Sequence, residues 1–412
     1  MDGAPRIAMV AGEASGDFLA AHLMAAVKLR FPGARFMGIG GPRMQAEGFD
    51  AWWPAEKLAV RGYVEVLRHY TEITGIRRRL AQRLEVEQPD LFIGVDAPDF
   101  NLDLEIRLRA QGIATCHYVS PSIWAWRGGR MAKIRRAAGH LLCLFPFEEA
   151  LYTRAGVPAT YVGHPLADVI GLDAGNQPAR VAARTQLGLP QDVPVIALLP
   201  GSRQSELRYL AKRFVQTAAT IAKTRPQVHF VVPFASAETA AQWRAAQHVC
   251  GLDREQAARL AARLTLVQHA SHAALAACDV ALVASGTATL EAALLRRPMV
   301  IAYNMAALSW AMMRRMKYQP WAGLPNILCG EFVVPEFLQQ QAVPELLAPA
   351  LLNLLDDGTL QARISGRFDA LHRSLRRDSA ARAAAALETL LRTLPQASQA
   401  RASQARASQG QA

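Results

Sequence analysis

DVALVASGTATLEAALL, Asp279 to Leu295, sets the reading of the whole chain. An apolar run stops at Ser285-Gly286-Thr287 and becomes a helical pattern with Glu291 one turn in. A strand feeding a helix through a small-residue turn is half of a βαβ unit. The first amides of such a helix are unpaired and its dipole is positive there, so the turn is a seat for an anion. Gly286 leaves room for a phosphate to approach the backbone, and the hydroxyls of Ser285 and Thr287 flank it. Glu291 follows Thr287 by four residues and shares its helix face. A carboxylate there can accept both hydroxyls of a ribose whose phosphates sit at the helix start. The plainer reading is a capped helix with a solvated Glu. A capping box, however, wants Glu three residues after the cap, where Ala288 stands after Ser285.

The same alternation runs outward in both directions. RIAMVAGE, ARFMGIGG, LFIGVDAP, ATCHYVSP, HLLCLFP and TYVGHP in the first half are apolar on both faces, as in strands of a parallel sheet covered by helices. FLAAHLMAAVKLRF and ITGIRRRLAQRLEVEQ read as helices between them. VIGLDAGNQPAR, residues 169–180, reads as a polar linker. VPVIALLPGSR, VHFVVPF, LTLVQH, DVALVASG and PMVIAYN then repeat the pattern. The fold expected is α/β: two Rossmann-like, doubly wound domains, 1–168 and 181–375, with an interdomain cleft and ligands at the carboxyl ends of the strands. A helix over 376–395 and a disordered low-complexity tail over 396–412, built on repeated ASQAR, complete the chain.

Composition fits this picture. The 412 residues are 51% hydrophobic and 19% charged, enough to bury large cores, and the net charge of +12 favours anionic partners. Five cysteines with no C-x-x-C pair suggest reduced thiols in a cytosolic protein. The N-terminus lacks a secretory pattern, and no apolar run is long enough to span a bilayer.

Three other strand ends carry chemistry. ALLPGSRQSE, residues 197–206, presents Arg203, whose guanidinium can fork onto a diphosphate; taken alone, a turn with a solvated Arg is the plainer reading. VAGEASGDFLAAHL, residues 10–23, places Gly12, Glu13, Ser15, Gly16 and Asp17 between strand and helix. Asp17 either caps the helix or, with Glu13 and Ser15, faces a sugar. Neither this loop nor GIGGPRM matches G-x-G-x-x-G, so no dinucleotide cofactor is expected. LFIGVDAPDFN, residues 91–101, ends a buried run in Asp96, with Asp99 three residues later. One of the two aspartates works at the turn. Asp96, at the strand end itself, reads as a general base able to take a proton from a hydroxyl.

No Asp-x-Asp, H-E-x-x-H or zinc-spaced Cys/His cluster occurs, so no metal is expected. His269 and His272, unsupported by neighbouring carboxylates in the sequence, read as surface or packing residues. Met305 to Asn326 mixes Met, Leu and Trp with Arg314, Arg315 and Lys317, as suits either a helix on an anionic bilayer or a core helix with a basic face. Leu58 to Tyr70 is similarly apolar and basic, a segment that can receive an acyl chain.

Taken in order, GEASGD, GPRMQAEGF, VDAPDFN, HYVSPSIWAWR, VGHP, LLPGSR, ASGTATLE and LPN resemble the lipid-A-disaccharide synthase family, over about residues 7 to 375. The tail departs from that pattern. The resemblance implies a GT-B-type inverting glycosyltransferase without metal or other cofactor. Its substrates would be UDP-2,3-diacylglucosamine and 2,3-diacylglucosamine 1-phosphate (lipid X), joined through a β-1,6 linkage with release of UDP. It implies Asp96 as base, with Arg203, Glu291 and Asn326 on the UDP moiety. It further implies a homodimer in the cytoplasm, peripheral to an anionic inner-membrane surface, with no nucleic-acid partner. A UDP-sugar 2-epimerase or muramyl-pathway transferase is the same-fold alternative. A non-catalytic binder of anionic lipid is the alternative from another class.

Overall fold

The computed structural model describes residues 4–55, 58, 63–124, 128–307, 310–311 and 319–393. The side chains behind the bilayer and acyl-chain expectations, in 59–70 and 312–318, lie outside the described residues, as does the 396–412 tail.

The chain folds as two units. One runs to Asp168 and resumes at Leu375; the other is Val169–Ser374. The first holds β1 (Arg6–Ala11), β2 (Arg35–Gly40), β3 (Asp50–Pro54), β4 (Leu91–Val95), β5 (Ala114–Tyr118), β6 (His140–Cys143) and β7 (Ala159–Tyr161). They form one seven-stranded parallel sheet in the order β3-β2-β1-β4-β5-β6-β7. The second holds β8 (Val195–Leu199), β9 (His229–Phe234), β10 (Leu264–Gln268), β11 (Val280–Ala284), β12 (Met299–Tyr303) and β13 (Glu336–Leu338), parallel in the order β10-β9-β8-β11-β12-β13.

The central strands are what their sequences imply. LFIGV, VIALL and VALVA are buried at every residue, because helices cover both sheet faces. The helix Gln204–Thr224 buries Leu207, Leu210, Ala211, Phe214, Val215, Ala218 and Ile221, a three-and-four spacing that lays one stripe on its sheet. Two strands escape the sequence reading, β3 and β13. Both lie at sheet edges and are only partly buried, as are β7 and β10, but DAWWP and EFL each open on a carboxylate and form no apolar run.

Residues 169–180, expected as a polar linker, are instead built into the second unit. Asn176 caps the helix Gln177–Gln186 by accepting from the Ala179 amide at 2.9 Å, and Arg296 and Arg297 donate to the carbonyls of Leu172 and Gly175. The C-terminal segment belongs to the first unit. Asp168 accepts from the amides of Arg377, Asp378 and Ser379, starting a helix over 379–393. Ala383, Ala384, Leu387 and Leu391 of that helix share a core with Ile7, Met9, Ile93 and Tyr118.

In each sheet the strand order reverses once, between β1 and β4 and between β8 and β11. Such a point leaves a crevice beyond the carboxyl ends, because the flanking connections run to opposite sides. The loops leaving those four strands are Gly12–Glu13, Asp96–Ala97, Pro200–Arg203 and Ser285–Gly286, the four segments singled out in the sequence.

Candidate active site

At the β8/β11 switch point, the two loops line one pocket of about 520 Å³. Gly201, Ser202, Arg203 and Glu206 come from one side; Ser285, Gly286, Thr287, Ala288 and Glu291 come from the other. Gly286 caps the helix Thr287–Leu294, with no side-chain cap. The amides of Thr287 and Ala288 have no acceptor among the described residues, and a Cβ on Gly286 would meet nothing within 4 Å. An uncapped, positive helix start with open space before it is an anion seat.

The neighbouring helix start is different. Glu206 reaches back to accept from the amides of Ser202 and Arg203, at 2.9 and 3.2 Å. Gly201 makes this possible: its φ is +124°, and a Cβ there would lie 2.5 Å from Glu206. That helix start is therefore satisfied from within, and its contribution to an anion is the Arg203 side chain, which is 54% exposed.

Glu291 lines the pocket and is held by His272, whose Nε2 lies 3.2 Å from its Oε2. The hydrogen bond and charge of Glu291 raise the His272 imidazole above its ordinary value, against the opposing effect of burial. The expectation that His272 serves only packing or surface is thus corrected: it braces a pocket carboxylate. His269, whose φ is +54°, also lines the pocket, with Pro233 and Phe234 at the end of β9, Ala235 just after it, and Tyr303 at the end of β12. These residues carry no motif; strands β9 and β12 were legible only as buried runs.

Asn326 is set apart from this pocket. It is fully buried, and all its polar capacity is used. Oδ1 accepts from the amides of Val333 and Val334; Nδ2 donates to the Val334 carbonyl and, at 2.7 Å, to Glu336 Oε1. Glu336 also accepts from the amides of Ala322 and Gly323, while Ser285 Oγ donates to the Ala322 carbonyl at 3.1 Å. Asn326 thus reaches the pocket through a turn and not by contact.

Between the ends of β4 and β5, beside the β1/β4 switch point, Asp96 lines a smaller pocket of about 160 Å³ with Pro98, Val119, Ser120, Pro121, Ser122, Ile123 and Arg130. Asp96 and Ala97 are both left-handed, at φ +52° and +43°, and Val119 is too, at φ +74°. Each such non-glycine residue costs on the order of 1–3 kcal/mol, and strain of this kind gathers at functional sites. Asp99, the other acid of the motif, is 78% exposed in its side chain and pairs with Arg130. Behind Asp96, Glu105 and His117 form a fully buried pair, with His117 Nδ1 2.6 Å from Glu105 Oε1. Burial opposes the imidazolium, but the charge and hydrogen bond of Glu105 and the charge of Asp96 outweigh it and raise His117.

In the Gly12–Asp17 loop, Gly12, Gly16 and Asp17 are buried. Asp17 is 4% exposed and does not cap its own helix. Its Oδ1 accepts from the amides of Gly41 and Met44 and its Oδ2 from Arg43, at 2.9 to 3.0 Å, so it starts the helix Pro42–Ala46. Gly16 is buried against Ala11 and Val95, and Gly12 against Leu58. Ser15 is exposed, and Glu13 is half-buried at the N-cap of the helix Ala14–Arg30.

The sequence model of the lipid-A-disaccharide synthetase family matches residues 7–388. The lipid-A-disaccharide synthase of Aromatoleum aromaticum is 56% identical over 393 residues, covering 95% of this chain and 98% of its own. That of Pseudomonas paraeruginosa is 49% identical over 391 residues, covering 95% and 99%. Among solved structures, an Anabaena protein, Alr3699/HepE, in complex with UDP and glucose has a TM-score of 0.56 at 16% identity, covering 94% of this chain and 99% of that one. The UDP-GlcNAc 2-epimerase of Neisseria meningitidis, bound to UDP-GlcNAc, has a TM-score of 0.59 at 13% identity, covering 94% and 100%. The epimerase shares the fold alone, whereas the two synthases share sequence over 95% of this chain. Two parallel sheets of the GT-B kind and this likeness make the chain a member of the lipid-A-disaccharide synthase family, a glycosyltransferase of lipid A biosynthesis.

Proposed function

We propose that this enzyme moves 2,3-diacylglucosamine from UDP to the 6-hydroxyl of 2,3-diacylglucosamine 1-phosphate (lipid X). The acceptor oxygen attacks the anomeric carbon from the face opposite the diphosphate. The new C–O bond is β-1,6, the bond to the diphosphate oxygen breaks, and UDP leaves with the electron pair. Asp96 takes the acceptor proton. The Thr287 helix start and the Arg203 guanidinium stabilise charge as it grows on the diphosphate. Glu291 accepts the ribose hydroxyls, and the apolar wall of Pro233 and Phe234 seats the base. Asn326 acts by holding the turn that carries the Ser285 contact.

The observation that carries this reading is the β8/β11 pocket, where an uncapped helix start, an exposed Arg and a carboxylate four residues into the helix share one wall. Neutralising a pyrophosphate there needs no divalent cation, because amide dipoles and a guanidinium supply the positive potential. Among the described residues, no helix is long and apolar enough to cross a membrane. With a net charge of +12, we read the enzyme as a homodimer working in the cytoplasm, peripherally on the anionic inner-membrane surface.

The test is to mix UDP-2,3-diacylglucosamine with labelled lipid X and follow disaccharide and UDP. Equimolar disaccharide 1-phosphate and UDP, undiminished by a chelator, are expected. UDP-sugar consumption without a disaccharide would favour an epimerase, and loss of turnover in chelator would remove the metal-free mechanism.

A further inference from the structure

Asp96 is held at both ends of its own backbone. Its amide donates to the Tyr118 carbonyl of β5 at 2.8 Å, and its carbonyl accepts from Asn101 Nδ2 at 2.8 Å. Asn101 is fully buried on the helix Pro98–Ala110. That helix and β5 are tied to each other by the buried Glu105–His117 pair. The tie exists because Gly94 has no side chain: a Cβ there would lie 2.2 Å from Glu105 Oε1 and 2.9 Å from Asn101 Cβ. His117 stands opposite Gly94 in the β4–β5 register, one residue before Tyr118.

Neither Asp96 nor Ala97 is a glycine, so their left-handed backbone persists only where its surroundings hold it. Residue 97 begins a helix, and relaxing it to the ordinary right-handed region would rotate the peptide that carries Asp96. The Asn101 bond acts on that peptide's oxygen.

We propose that Asn101 is a positioning residue for the reaction: its amide holds the Asp96–Ala97 peptide in the left-handed turn that presents the Asp96 carboxylate, with the Glu105–His117 pair fixing the two elements that supply the clamp. This rests on the reading of Asp96 as the base.

The test is a strain-relief rescue, read by kinetics with the full-length enzyme and both lipid substrates. Asn101→Ala should lower kcat by ~10- to 100-fold with the donor KM unchanged, the scale of a small misplacement of a catalytic group. Adding Ala97→Gly, which adopts the left-handed conformation without penalty, should restore roughly a tenfold of that loss. A packing role would lower stability and gain nothing from the glycine, so an impaired Asn101→Ala without rescue overturns the proposal, as does Asn101→Ala at wild-type rate. Should Asn101→Ala not fold, Asn101→Leu fills a similar volume without the donor and takes its place in both arms. Failure of the base assignment reads differently. Asp96→Asn would then turn over at wild-type rate by itself. With Asp96→Asn impaired, Asn101→Ala should cost little more in that background; an equal further loss there shows that Asn101 does not act through Asp96.

Discussion

The two switch points are built on one plan and finished in opposite ways. Beyond β8 and β11 the backbone is left open: two helix starts flank a pocket of about 520 Å³, and the Thr287 start has no side-chain cap. Beyond β1 and β4 the polar groups are already engaged. Asp17 is spent on the Pro42–Ala46 helix, the Asp96 peptide is clamped, and the pocket that Asp96 lines, between the ends of β4 and β5, is about 160 Å³. An open, positive end can take a mobile anion of several atoms. A tight, strained end can hold one carboxylate in one orientation. The difference suits a reaction in which one partner leaves as a diphosphate and the other only loses a proton.

The largest test of that contrast is Asp96→Asn. It keeps the shape and removes the base, so kcat should fall by about 10²–10⁴ while UDP affinity stays near wild type. A variant with normal turnover would end the assignment, and Asp99→Asn would then be the variant to examine.

Asp17→Ala sharpens the other half of the comparison. Removing a buried carboxylate from three amides should cost about 2–4 kcal/mol of stability, visible as a lower denaturation midpoint. If the loop is structural, the folded fraction keeps its substrate affinities. A raised acceptor KM with unchanged stability would return Asp17 to the sugar site.

Smaller effects belong to the open pocket. Glu291→Ala should raise the donor KM about tenfold, or about 1.4 kcal/mol, through lost hydrogen bonds, with acceptor KM unmoved. Equal effects on the two substrates would contradict ribose recognition. His272→Gln should change donor KM by roughly threefold and remove its pH dependence. The sign follows from the raised imidazole. The ionic pairing with Glu291 is complete below the ordinary histidine value of about 6.5 and fades as pH climbs through the higher folded value. In the wild type, donor KM should therefore rise as pH climbs above the ordinary histidine value; a flat profile shared with His272→Gln would show that the pair does not tune the pocket.

Much of this molecule is legible in one dimension. Eleven of the strands lie in apolar runs, and in central ones such as LFIGV or VALVA burial on both faces is written in the composition. β3 and β13 are not, because DAWWP and EFL each open on a carboxylate and carry no decisive period. The site divides similarly. Gly286, Arg203 and Asp96 follow strands whose ends the pattern marks, so their places are readable. Phe234 and Tyr303 reach the same pocket from strand ends that carry no motif, and His272 acts on it only through Glu291.

The sequence by itself determined two α/β units, the strand ends that carry chemistry, and the family. Hydrophobic periodicity and short turn motifs are local properties and survive without coordinates. Only the tertiary structure decided which polar side chain meets which: that Asp17 starts a helix 25 residues on, that His272 braces Glu291, that Asn326 is locked to Glu336, and that the C-terminal helix rejoins the first core. Those pairings depend on sheet order and on distances between residues far apart in the chain, and a hydrogen bond is decided within a few tenths of an ångström that no local pattern encodes.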